Sequence, residues 1–275
     1  EPYRRQRQMC IRDSGWTAEN DELVYSIMAE SSFAGLEIAP TRIFPENPYD
    51  DLGRAEEWSK ALKSAQKLTV SSMQSIWYGR SERIFGSEDE RSALVSYTKK
   101  AIDFAEIIGC GNLVFGCPRN RSMPDDGDIE IAVSFFKELA DYAYAHNTVI
   151  AMEANPPIYN TNFINTTGEA IELIERVDSK GFLLNLDLGT MVENSESVDV
   201  LKDKGHLINH VHVSEPGLKS IEQREIHKHL AAYLRDLGYK RYVSIEVGKQ
   251  ENVNMLAEMM NYCLLYTSPS LRDCS

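Results

Sequence analysis

The sequence predicts an α/β fold, a (β/α)8 barrel, whose first strand is missing or replaced by non-native sequence. Short apolar runs alternate with helical patterns seven times without a linker, in units of roughly 30 residues. This alternation implies parallel strands joined by right-handed helical crossovers, and one further strand would complete a barrel of the usual size, roughly 250 residues. An open doubly wound sheet is the main rival, but the sequence lacks the G-x-G-x-x-G turn that usually follows its first strand.

Seven strands are predicted where short apolar runs end at a glycine, a proline or a polar residue. In chain order they are residues 35–39, 68–73, 112–115, 148–153, 182–186, 208–213 and 242–245. The strand expected before residue 15 is not recognisable, because residues 4–14 show no amphipathic order. Its loss would leave the first and last of the seven strands with unpaired edges.

Helices are predicted where apolar residues recur at three- and four-residue spacing. In chain order they are residues 17–29, 54–66, 92–108, 129–146, 166–177, 198–204, 221–237 and 252–262. Thr17 is a candidate N-cap of the first helix. Thr166 and Glu169 form a capping box at the start of the fifth, and Gly238 ends the seventh.

Both ends of the chain resemble translated sequencing-adapter sequence: residues 4–14 read RRQRQMCIRDS and residues 263–274 read CLLYTSPSLRDC. We therefore interpret residues 1–13 and 263–275 as non-native flanks and residues 14–262 as the barrel domain. A natural basic arm and a natural tail are the alternative.

Composition limits the classes of function. The net charge of −13 lacks the electrostatic footprint of a nucleic-acid-binding protein, and no apolar run reaches the roughly 18 residues that suggest a membrane span. Five cysteines, an odd number without paired spacing, favour a reducing cytoplasm over a secreted disulfide framework. We expect a cytoplasmic protein with no nucleic-acid or membrane partner, and a homo-oligomer is left open.

Four polar residues end four successive predicted strands: Glu153, Asp187, His212 and Glu246. Strand exits of a barrel converge on one mouth, where three carboxylates repel one another unless a cation lies between them. A single such acid is more often a helix cap, and a single strand histidine is more often a core residue. Four such residues at the ends of four successive strands favour a metal site. This mostly oxygen set predicts one divalent ion, Mn²⁺ first, with Mg²⁺, Co²⁺ or Zn²⁺ as alternatives.

The motifs around these residues are MEAN (152–155), NLDLG (185–189), HVHV (210–213) and SIEV (244–247). With them the chain resembles the xylose-isomerase-like barrel superfamily of sugar phosphate isomerases and epimerases over nearly all of residues 15–262. The resemblance implies a sugar or sugar-phosphate substrate and one divalent ion on the four residues. It also implies that Glu153 and Glu246 act as acid and base, removing a proton next to a carbonyl and returning it to the opposite face of an enediolate.

Two positions depart from the ketose epimerases of this superfamily. Thr190 replaces a histidine three residues after the aspartate, and Leu218 replaces an arginine six residues after the metal histidine. Both family residues contribute to sugar binding. The resemblance therefore supports the metal site better than it supports specificity for a ketohexose.

Six further residues lie near or after the exits of predicted strands and are candidates for substrate binding: Glu37, Gln74, Arg119, Arg121, Asn155 and Asn162. Arginines at a barrel mouth clamp phosphate or carboxylate by bidentate bonds, although surface loop arginines are an equal alternative. Trp77 and Tyr78 either enclose a sugar or pack at the rim. We expect His210 to point to the opposite side of its strand from His212 and to pack or to support a ligand, and Cys117 lacks a base to activate it.

Three rival functions use the same barrel. A dehydratase of the inosose or dehydroshikimate type would use the same metal and proton abstraction, with loss of water. An endonuclease-IV-like enzyme would need three zinc ions and extra histidines after the third and fourth strands, yet all six histidines lie at position 146 or later. A non-catalytic sugar-binding barrel would not need two opposed glutamates.

Overall fold

A computed structural model describes residues 8–267, and its eight parallel strands close into a barrel in sequence order. The strands are β1 Gln8–Arg12, β2 Gly35–Ile38, β3 Thr69–Met73, β4 Leu113–Phe115, β5 Ile150–Met152, β6 Phe182–Asp187, β7 Ile208–Val213 and β8 Tyr242–Ile245. The predicted (β/α)8 fold is confirmed. All seven strands predicted from apolar runs are present, and the bounds of β7 and β8 agree to the residue.

The connections between strands carry the helices. They are α1 Asp21–Glu30, α2 Pro40–Ile43, α3 Leu52–Gln66, α4 Glu88–Ile108, α5 Ile129–Ala145, α6 Thr167–Val177, α7 Leu188–Glu193, α8 Glu225–Asp236 and α9 Val253–Cys263. The capping box predicted at Thr166 and Glu169 is confirmed at the start of α6. Within residues 8–267, no helix is both long and apolar enough to cross a membrane.

β1 corrects the expectation that the first strand is missing. Its residues pair with β2 on one side and with β8 on the other, so the predicted unpaired edges do not exist. Met9, Cys10 and Ile11 are almost fully buried, which gives the strand the apolar content that it needs. At the other end α9 runs to Cys263, and Tyr266 is completely buried. The non-native origin of the two flanks stays a prediction.

One predicted helix is absent, two short helices, α2 and α7, were not predicted, and the starts of α1, α4 and α8 are displaced. Residues 198–204 do not form an α-helix, because the short 3-10 turn Val198–Leu201 ends where Lys202 is extended and Asp203 has φ +61°. α7 was not predicted; it begins where the Asp187 side chain caps the backbone N–H of Thr190. α4 begins at Glu88 rather than residue 92, because Ser87 forms a capping box there.

The core between strands and helices contains a cluster of aromatic rings. Phe115 contacts Trp77 edge-on at 4.7 Å and Phe136 at 4.8 Å, measured between ring centroids, and Phe136 stacks on Phe182. Edge-to-face pairs of this kind stabilise a core beyond their buried area. The cluster therefore holds β4, α5 and β6 in place on the side of the barrel that carries two of the candidate ligands.

Candidate metal centre

The carboxyl ends of β5 to β8 bring the four predicted ligands together. In the β6–β7 ladder Asp187 lies opposite His212, and Glu153 and Glu246 directly follow β5 and β8. One ligand atom from each of the four residues lies within 4.8 Å of the others, and all four residues are buried. The parallel register thus converts four distant sequence positions into one cluster at the barrel mouth.

His212 lies at the centre of this cluster. Its Nδ1 atom is 2.9 Å from Oε2 of Glu153 and 3.3 Å from Oε2 of Glu246. Its Nε2 atom is 2.9 Å from Oε2 of Glu37, on the side away from the cavity. The ring is completely buried, so these contacts define its orientation.

Asp187 and Glu153 are held by neutral donors. The Ser214 hydroxyl donates to Oδ1 of Asp187, and the backbone N–H and hydroxyl of Thr190 both donate to Oδ2 at 2.8 Å. Asn155 donates to Oε1 of Glu153 at 3.1 Å. Thr190 is thus turned towards Asp187, and its hydroxyl contacts a proposed ligand rather than open space.

The electrostatics of the cluster favour a positive charge at its centre. Burial opposes ionisation of Glu153, but His212 and Asn155 outweigh it and lower the pKa of Glu153. Burial and the neighbouring Glu153 carboxylate raise the pKa of Asp187. Burial would lower the pKa of His212, but Glu37 and Glu153 outweigh it and raise that pKa to about 10. A divalent ion at Nδ1 of His212 would therefore replace a proton.

The donor set fits a divalent ion. Three carboxylates and one imidazole converge, and their repulsion in a buried site is relieved by a cation between them. Two amide oxygens beside the cluster, Oδ1 of Asn155 and Oδ1 of Asn185, are buried and have no hydrogen-bond partner within residues 8–267. Oxygen-rich sets of this kind suit Mn²⁺ and Mg²⁺.

A cavity of about 800 Å³ opens onto the cluster, a size typical of small-molecule sites. Three of the six residues predicted to bind substrate line it, namely Gln74, Arg119 and Asn155. Among residues 8–267, Arg119 has no ion-pair partner. Tyr78, which is 71% exposed, and Leu218 also line the cavity.

The other three predicted substrate-binding residues lie outside the cavity lining. Glu37 is fully buried behind His212. Arg121 is also fully buried, and its guanidinium donates to three backbone carbonyl groups. Asn162 bonds through both side-chain atoms to the backbone of Met123, linking two loops. Their contacts are with the protein itself.

Trp77 and Cys117 border the cavity, and His210 lies behind the cluster. Trp77 is buried and donates to the Thr98 hydroxyl at 2.7 Å, although part of its surface borders the cavity. The expectation that His210 points away from His212 is wrong, because residues two apart in a strand share a face: Nε2 of the buried His210 lies 3.1 Å from Oε2 of Glu37, the same atom that Nε2 of His212 contacts. Burial raises the pKa of the Cys117 thiol to about 12, so it supplies no nucleophile at neutral pH.

Sequence reasoning missed Arg12. Its guanidinium contacts Oε1 of Glu246 and donates to Oε1 of Gln74 at 2.8 Å. Arg12 is the last residue of β1, so it occupies a strand exit just as the four ligands do. The signal was present in the sequence, but residues 1–13 had been set aside as a flank.

The comparisons with known proteins agree with the barrel fold. The family model described as "Xylose isomerase-like TIM barrel" matches residues 26–263. The chain therefore belongs to the xylose isomerase-like TIM barrel family. No curated protein matches the sequence.

Solved structures share the fold at low sequence identity. A D-psicose 3-epimerase from Clostridium cellulolyticum H10 is 17% identical with a TM-score of 0.75, over 94% of this chain and 98% of that one. An AP endonuclease of family 2 from Brucella melitensis is 18% identical with a TM-score of 0.73, over 93% of this chain and 99% of that one. A probable 3-DHS dehydratase from Bacillus anthracis is 15% identical with a TM-score of 0.66, over 92% and 97%. Several other similar structures are sugar epimerases or isomerases.

Proposed function

We propose that the protein is a metal-dependent sugar or sugar-phosphate isomerase or epimerase. The observation that carries the proposal is the cluster of Glu153, Asp187, His212 and Glu246 facing a cavity of about 800 Å³. A bound divalent ion, Mn²⁺ first, would supply Lewis-acid stabilisation of negative charge on substrate oxygens. The frequency of sugar epimerases among the similar structures supports this class.

Glu153 and Glu246 are the proposed acid and base. Their Oε2 atoms converge on Nδ1 of His212, whereas their Oε1 atoms point elsewhere, towards Asn155 and Arg12 respectively. Each glutamate thus has one oxygen for the cation and a second for proton transfer. One removes a proton from the carbon next to a carbonyl, and the other returns a proton to the opposite face of the enediolate.

The remaining cavity residues would bind the sugar. Gln74 and Asn155 offer amide groups to hydroxyls. The guanidinium of Arg119, which has no ion-pair partner in the described part of the chain, offers bidentate bonds to a phosphate or carboxylate. The Thr190 hydroxyl lies 2.8 Å from two acceptors, Oδ2 of Asp187 and the carbonyl oxygen of Ala154, so its single proton is donated within the protein. Leu218 gives the cavity an apolar side chain. These two positions favour a substrate other than a free ketohexose.

The test is a survey of keto and aldo sugars and their phosphates in ²H₂O with the Mn²⁺-loaded protein. We expect deuterium to enter the product at the carbon next to the carbonyl. Glu246→Gln should keep the fold and abolish this exchange, and the surface control Glu30→Gln should leave it unchanged. Metal analysis that finds no divalent ion, or undiminished exchange in Glu246→Gln, would reject the proposal.

The alternative is a dehydratase that uses the same residues. It is favoured by the structural similarity to the probable 3-DHS dehydratase and by the departures at Thr190 and Leu218. A dehydratase abstracts the same kind of proton but expels water, so its product has a new double bond. Ultraviolet absorbance of that product separates it from an isomerase. A trinuclear nuclease site is less well supported, since within residues 8–267 both clusters of metal-ligating side chains share His212.

A further inference from the structure

His212 has carboxylates against both of its ring nitrogens, but only one side faces the proposed metal site. Nδ1 faces Glu153 and Glu246, whereas Nε2 contacts Glu37 at 2.9 Å. Glu37 is 0% exposed and does not line the cavity. Its contact with His212 therefore needs an explanation other than contact with substrate.

The two ring nitrogens of His212 face different groups when an ion is bound. Without an ion, Oε2 of Glu153 at 2.9 Å and Oε2 of Glu246 at 3.3 Å accept a proton from Nδ1, and a divalent ion at Nδ1 would replace that proton. The remaining ring proton then lies on Nε2, which donates it to Oε2 of Glu37 at 2.9 Å.

We propose that Glu37 is a positioning residue that holds His212 in the Nε2–H tautomer, with the Nδ1 lone pair directed at the divalent ion. The inference rests on the metal-binding part of the proposed function. A carboxylate behind a ligating histidine fixes the tautomer and the ring orientation and raises the basicity of the ligand nitrogen, and its loss typically costs 10–100-fold in metal affinity.

His210 supports the charge of Glu37. Its Nε2 atom lies 3.1 Å from the same Oε2 atom that contacts His212, and its ring meets the His212 ring edge-on at 87°. A carboxylate that is fully buried needs compensation of this kind to remain ionised. Two imidazole nitrogens therefore face one buried carboxylate oxygen, at 3.1 Å and 2.9 Å.

The first test is calorimetric titration of the metal-free full chain with Mn²⁺. Glu37→Gln keeps the shape of the side chain but removes its charge, and we expect 10–100-fold weaker binding. Glu30→Gln removes one negative charge from the exposed surface of α1 and should bind as the wild type does. Equal affinities for the wild type and Glu37→Gln would overturn the inference. A wild type that binds no divalent ion would instead reject the proposed function.

The second test reads the tautomer directly and needs no variant that must fold. In ¹⁵N spectra of the Zn²⁺-loaded wild type, we expect Nε2 of His212 to carry a proton and Nδ1 to show the shift of a metal-bound nitrogen. A proton on Nδ1 would overturn the inference. If Glu37 were only structural, Glu37→Gln would lower the melting temperature while the folded protein kept its affinity and the same ¹⁵N pattern.

Discussion

Arg121 offers a sharp test of the difference between a residue that binds substrate and one that supports the site. Its guanidinium is completely buried and donates to the carbonyls of Gly116, Glu153 and Ile164 at 2.7–2.9 Å. These carbonyls belong to the loops that follow β4 and β5. We expect Arg121→Met to destabilise the protein and to loosen the backbone that carries Glu153.

The magnitude follows from these contacts. Hydrogen bonds from a charged donor contribute roughly 1.5–3 kcal/mol each, so three contribute about 5–9 kcal/mol. Burial opposes the charge and lowers the pKa of Arg121 from 12.5 to about 10, which corresponds to a cost of roughly 3 kcal/mol. Methionine retains most of the apolar packing of the arginine stem. The expected loss in the free energy of unfolding is therefore about 2–6 kcal/mol.

Urea unfolding followed by circular dichroism measures this loss, and Arg119→Met is the matched control. Arg119 lines the cavity and has no ion-pair partner among residues 8–267, so its loss should change stability by at most about 0.5 kcal/mol. The same control should raise KM for an anionic substrate at nearly unchanged kcat. A wild-type urea midpoint for Arg121→Met, or a large loss for Arg119→Met, would refute this assignment of the two arginines.

Three further predictions concern metal binding by the cluster and the loss of stability at acid pH. Arg12→Gln removes a cation that contacts Glu246, so Mn²⁺ should bind about tenfold more tightly, roughly 1.4 kcal/mol by calorimetry; weaker binding would contradict the proposed competition. Gly189→Ala places a Cβ atom 2.6 Å from Oγ of Ser214, so it should displace the hydroxyl from Asp187 and weaken Mn²⁺ binding in the same titration. Burial lowers the pKa of His227 from 6.5 to about 4. The unfolded chain therefore takes up this proton first, and stability should fall by about 3 kcal/mol as pH falls from 6.5 to 4. Urea unfolding of His227→Phe across this pH range should lack this loss of stability.

The barrel and its four candidate ligands were accessible from sequence because both depend on repetition. Each strand ends about one βα unit after the previous one, and parallel strands place equivalent positions at the same end of the barrel. Glu153, Asp187, His212 and Glu246 therefore had to converge once the alternation was recognised. No long-range packing needed to be predicted to reach that conclusion.

The contacts that the folded chain makes around these residues could not be predicted from the sequence. Arg119 and Arg121 follow the same strand two residues apart, yet one lines the cavity and the other is buried beneath a loop. The difference depends on the path of the loop, where Cys117 adopts φ +43° and Pro118 begins a 3-10 turn. Glu37 was expected at the mouth because it lies in a strand near its exit, but its side chain extends across the barrel interior to His212.

The supporting contacts also distinguish the four ligands from one another. Asp187 accepts hydrogen bonds from two hydroxyls and a backbone N–H, and Glu153 accepts from two amides. These neutral donors orient an acceptor without competing strongly for the cation. Among residues 8–267, Glu246 is the one carboxylate of the three that pairs with an arginine, Arg12. A divalent ion must weaken that contact by electrostatic repulsion, so Glu246 is the carboxylate whose surroundings change most on metal binding. Of the two proposed acid–base residues, Glu246 should therefore respond more strongly to changes at β1 than Glu153 does.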